Sequence, residues 1–73
     1  MADSDREKVA DLLAHAADEL RRAAAHLDSA ADHFRNGDVP RGCAHAFAGQ
    51  GHQSRAASGV DEATRLHADH SNV

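Results

Sequence analysis

Histidine and cysteine are the side chains of this 73-residue sequence best suited to chemistry: seven histidines and a single Cys43. Imidazoles ligate transition metals and change charge near neutral pH, so their spacing comes first. In a straight helix His15, His26 and His33 project within about 20° of one another and form a file. Successive members stand about 16 and about 10 Å apart along the axis, whereas Zn–N bonds measure about 2.0–2.1 Å. One helix therefore cannot bring them to a shared ion. His45 and His52 are also seven residues apart. Only His67-Ala-Asp-His70 has the i, i+3 spacing at which two rings can meet one ion. His67 and His70 are thus the metal-ligand candidates, with a transition metal as the cofactor they would hold. A closed zinc site needs four ligands, so Glu7, Asp11 or His15 would have to come from the other end of the chain. The Glu-x-x-His pairs of di-iron bundles are missing, since Glu7, Glu19 and Glu62 are followed three residues later by Ala10, Arg22 and Arg65. The competing reading of the histidines is bland. His26 and His33 border the apolar face, rest their rings on alanine and turn a nitrogen to water, while Asp11 and Glu19 flank His15 at four residues. Protonating all seven would move the formal charge from −4 to +3, so a pH-responsive bundle is the companion to the metal reading.

Cys43 sits near Arg41 at the start of a second helical segment, a setting that activates thiols. The preferred reading is a small buried apolar residue beside Phe47. No intrachain disulfide can form with one cysteine. There is no G-x-x-x-x-G-K-[ST] loop and no G-x-G-x-x-G; Gly49-Gln-Gly51 is only a G-x-G. Catalysis is not expected.

The elements that carry these residues are helical. Of the 30 apolar residues 17 are alanine, and there is no Ile, Trp or Tyr, so strands lack their usual residues. Ser4-Asp-Arg-Glu7 has the form of a capping box, and Asn36-Gly37-Asp38-Val39-Pro40 offers a left-handed C′ glycine, an N-cap and a first-turn proline. The reading is an all-α, antiparallel two-helix hairpin forming one domain over 1–73. Its first helix covers about 5–36, the turn 36–39 and the second helix about 39–69, with 71–73 frayed. The second helix is continuous but weakened by glycine at about 1 kcal/mol each. The alternative is a break near 49–59, with Ser58-Gly-Val-Asp61 capping a short third helix.

Along the first helix Val9, Leu13, Ala16, Leu20, Ala23, Leu27, Ala30 and Phe34 follow an unbroken heptad. Ala10, Ala17, Ala24 and Ala31 widen that stripe to bundle width. Only 13 residues larger than alanine are available for a core, too few for a self-sufficient monomer. These eight residues are therefore the expected interface. The expected partner is protein: a second copy in a two-fold homodimer that completes a four-helix bundle, or a larger complex in which the chain is an accessory subunit. A net charge of −4 without a basic run argues against nucleic acid. No long apolar stretch argues for a membrane span or secretory leader, which makes the cytoplasm the default location.

The run from Ala31 to Phe47, with an aromatic, a Gly-Asp turn and small residues, resembles the helix-turn-helix of tetratricopeptide units and of HEPN-type helical domains. The resemblance covers about a quarter of the chain. It implies an Arg-x4-6-His nuclease motif, which Arg21 with His26 and Arg65 with His70 match in spacing. The chain is too short for three repeats or for a four-helix domain, and it is assigned to neither family.

Overall fold

A computed structural model describes residues 2–71, with side chains through Asp69. Two helices, α1 (Asp3–Arg35) and α2 (Val39–Ser71), run antiparallel and pack along their whole length. The molecule is a rod of 56 × 17 × 12 Å. Its radius of gyration, 16.5 Å, is well above the roughly 11 Å of a compact chain of this length. No helix among the described residues is long and apolar enough to cross a membrane.

The turn follows from its residues. Gly37 adopts φ 80°; its amide donates to the Phe34 carbonyl at 3.1 Å and the Asp38 amide donates to the His33 carbonyl at 2.8 Å. These are the two bonds of a Schellman motif, which needs the left-handed residue that glycine adopts most easily. Asp38 then caps α2, its Oδ1 accepting from the Arg41 amide at 3.3 Å. Pro40 lies in the first turn, where its missing amide costs no intrahelical bond.

One sequence expectation needs correction. Ser4 does not cap α1: the helix starts at Asp3, Ala2 precedes it without a side-chain cap bond, and the Asp5 and Arg6 amides donate to the Ala2 carbonyl. Asp3 and Asp5 instead place negative charge in the first turn, where the helix dipole favours it. The preferred continuous α2 is observed, and the alternative, a break near 49–59 with a third helix from Ser58, is not. Gly42 and Gly49 of α2 serve packing. A Cβ on Gly49 would lie 3.1 Å from Leu27 Cδ2 and 3.2 Å from the Ala23 carbonyl oxygen, and one on Gly42 would lie 2.6 Å from the Phe34 ring. Contact with α1 offsets the helix propensity that these glycines forgo.

The seam is built from small residues. Ala16, Ala23 and Ala30 of α1 are buried, as are Gly42, Gly49, Ala56 and Ala63 of α2, and both columns repeat every seven residues. Small columns on both helices let the axes approach toward the lower end of the ~8–10 Å range. Among the described residues no large side chain is fully buried. Leu13, Leu20, Leu27 and Phe34 stay about half-exposed along one flank of the seam, and Val39, Phe47 and Val60 are exposed on α2.

Candidate functional site

The opposite flank of the seam is polar. Positions 19, 26 and 33 of α1 and 45 and 52 of α2 also follow a seven-residue rhythm, carrying Glu19, His26, His33, His45 and His52. The antiparallel register interleaves them across the two helices. The His33 and His45 rings stack at 5.2 Å between centroids, and His45 meets His26 at 5.4 Å, tilted by 34°. His26 in turn stacks on His52 at 5.4 Å, and His52 Nδ1 hydrogen-bonds Glu19 Oε2 at 2.5 Å. Four imidazoles and one carboxylate thus form a continuous file that crosses the seam at every step.

Two bonds in this file constrain its protons. His26 Nδ1 and His45 Nδ1 lie 3.1 Å apart. One must carry a hydrogen and the other a lone pair, because a fully protonated imidazole has only donors. His52 must donate from Nδ1, because an ionised carboxylate only accepts. Its Nε2 is then the nitrogen left to take up a proton.

Glu19 is the buried charge of the seam, 5% exposed. An unpaired carboxylate at this depth would be strongly destabilising, and three cationic or protonatable groups surround it. The His52 hydrogen bond is the main cause that holds its carboxyl below the ordinary 4.5; burial opposes it, and Arg55, His52 and His15 add favourable charge. Arg55 Nε lies 3.8 Å from Oε2 and His15 Nε2 lies 3.7 Å from Oε1.

The structure places the remaining sequence candidates as follows. His26 and His33 are half-buried on the polar flank of the seam, where their rings meet those of His45 and His52 because α2 presents rings at the facing positions. Cys43 is exposed and is not the small buried residue expected beside Phe47, which is 74% exposed. Both lie on turns of α2 whose buried position is Gly42 or Gly49. His67 lines a shallow apolar groove with Val9, Leu13, Ala63 and Thr64. The side chain of His70 lies outside the described residues, so the His67/His70 pairing is not seen. Among the described residues no group of three or more His, Cys, Asp or Glu is arranged to hold a metal ion.

Of the eight expected interface residues, Ala16, Ala23 and Ala30 are used up within the hairpin, Val9 is half-buried in the groove beside Leu13, and Leu13, Leu20, Leu27 and Phe34 remain on its surface. Leu27 and Phe34 lie over Gly49 and Gly42, and Leu20 lines a second groove with Ala56, Ala57 and Val60. Sequence reasoning missed the partnership of Glu19 with His52 and of His26 with His45. The signal is a second, polar heptad beside the apolar one, Glu19, His26 and His33 on α1 and His45 and His52 on α2, whose pairing depends on the register of the two helices. Compared with known proteins, the chain matches no family model, no curated protein and no solved structure.

Proposed function

We propose that this chain is a small helical interaction module that pairs with a second copy of itself through the flank bearing Leu13, Leu20, Leu27 and Phe34, completing a four-helix bundle. One observation carries the reading: a seam made of alanine and glycine leaves all four of these large side chains about half in water. Fully covering such a side chain is worth roughly 1.5–3 kcal/mol, so on the order of 1 kcal/mol per residue is still to be gained by a partner.

Surface area leaves room for an occupant the size of a protein partner. The hairpin exposes 5180 Å², whereas a compact monomer of its 7.7 kDa would expose about 4,300 Å². The excess is close to the roughly 800 Å² per partner of a standard interface. Two-fold pairing of hairpins is also the simplest closed way to bury an identical stripe on each chain. The reading assigns no catalytic role.

Native mass spectrometry and sedimentation of the wild-type chain and of Leu20→Asp test it. The wild-type chain is expected at twice the 7.7 kDa chain mass. Leu20→Asp should stay helical, because position 20 is outside the buried seam, yet run as a monomer, because the charge would be buried without a partner. A monomeric wild-type chain, or a Leu20→Asp variant that still pairs, refutes the proposal. A wild-type chain recovered only with an unlike polypeptide would replace self-pairing with an accessory-subunit role.

A further inference from the structure

We propose that the His26–His45 pair, stacked between His33 and His52, is a proton-operated latch on the helix seam: closed at neutral pH, and released when both rings of the pair carry a proton. The argument is independent of self-pairing, because every group in it belongs to one hairpin.

The 3.1 Å bond between the two Nδ1 atoms is chemically selective. It forms between two neutral rings, and it survives one added proton, because a charged ring can still donate to its neighbour's lone pair. It cannot survive two, since both Nδ1 atoms would then present hydrogens to each other. Bond loss is joined by like charge. His33 stacks on His45 at 5.2 Å and His52 on His26 at 5.4 Å, so imidazolium groups would accumulate in the file at ring-contact distance. These rings are part-buried, where charge repulsion is less screened than on an open surface.

The other charged groups of the seam do not cancel this. On α1 the facing groups are His15, Glu19, His26 and His33; on α2 they are His45, His52 and Arg55; at the turn, Asp38 is engaged by Arg41, with Nε–Oδ2 at 3.5 Å. Glu19 is the carboxylate in contact with the file, and it is already shared among His52, Arg55 and His15. It sits at one end, bonded to His52, with the His26 ring between His52 and the His26–His45 bond. Protonation of the His26–His45 pair therefore charges the middle of the seam, while Glu19, the anion in contact with the file among the described residues, serves the end. The alanine and glycine columns beside the file offer little apolar burial to hold the helices together against that repulsion.

The experiment is thermal unfolding followed by circular dichroism at about pH 7.5 and about pH 5.5. It uses wild type, His45→Gln and His26→Gln, each repeated in the Leu20→Asp background so that loss of self-pairing is separated from opening of the seam. The wild-type Tm should fall by about 5 °C or more on acidification, equally in the Leu20→Asp background, and each glutamine variant should lose at least half of that drop. An unchanged or higher Tm at the lower pH, or glutamine variants that keep the full drop, overturns the latch. Should both variants fail to fold, NMR of the wild-type chain decides. Amide shifts of Ala23 and Gly49 that move with the His26 and His45 ring signals support it, and rings that titrate while those amides stay fixed overturn it.

Discussion

Replacing Gly49 and Gly51 separately by alanine puts the small-residue seam to a direct test, because the two positions lie two residues apart in the same helix and differ in what a new methyl group would meet. Alanine in place of glycine inside a helix gains about 1 kcal/mol of propensity. At Gly51 the added Cβ has nothing within 4 Å, so the whole gain should appear, raising Tm by about 4–8 °C for a domain of this size. At Gly49 the Cβ would lie 3.1 Å from Leu27 Cδ2, 3.2 Å from Leu27 Cγ and 3.2 Å from the Ala23 carbonyl oxygen. Half-exposed Leu27 can rotate away, but the carbonyl belongs to the α1 backbone and moves only if the helices part. Overpacking typically costs about 1–3 kcal/mol, so Gly49→Ala should range from neutral to about 2 kcal/mol destabilised. The two variants should differ by about 1–3 kcal/mol. Thermal unfolding at one fixed protein concentration measures the difference. Equal stabilisation by both substitutions would mean that α1 does not lie against Gly49, and the register derived from the alternating small columns would fall with it.

At the turn, Gly37→Ala should cost about 1–2 kcal/mol, because φ 80° is strained for any residue with a Cβ even though that Cβ would touch nothing; an unchanged Tm would refute the left-handed cap. Removing the Asp38 side chain with Asp38→Ala should cost about 1 kcal/mol through the lost bond to the Arg41 amide, read by the same melts. For Glu19 the pH dependence has a definite sign. Its carboxyl is held below 4.5 in the folded chain, chiefly by the His52 bond, so its contribution is complete above the ordinary value and disappears as pH falls through the lowered one. The Tm advantage of wild type over Glu19→Gln should accordingly shrink as pH falls below the ordinary 4.5, where the carboxylate itself takes up a proton; an advantage that keeps growing through that acid range would contradict the assigned bond.

Much of the fold was legible in local chemistry. Alanine abundance and the scarcity of β-branched and aromatic residues excluded strands, and Asn36-Gly37-Asp38-Val39-Pro40 marked both the end of one helix and the start of the next. Each of those signals acts within a few residues of itself, so no distant contact was needed to read it. The same locality misled at Ser4, where a capping-box pattern lost to a helix that starts two residues earlier.

The site is a different matter. The apolar stripe of α1 is wide enough to serve two neighbours, and its periodicity does not say which part faces α2 and which part waits for another chain. That choice was decided by Gly42, Gly49, Ala56 and Ala63, which allow close approach only when matched in antiparallel register to Ala16, Ala23 and Ala30. Once the register is set, Glu19 must face His52 and His26 must face His45, although 33 and 19 residues separate the partners along the chain. Side-chain spacing within one helix encodes direction around its axis, whereas pairing across two helices depends on the relative slide of their axes, and only packing fixes that slide.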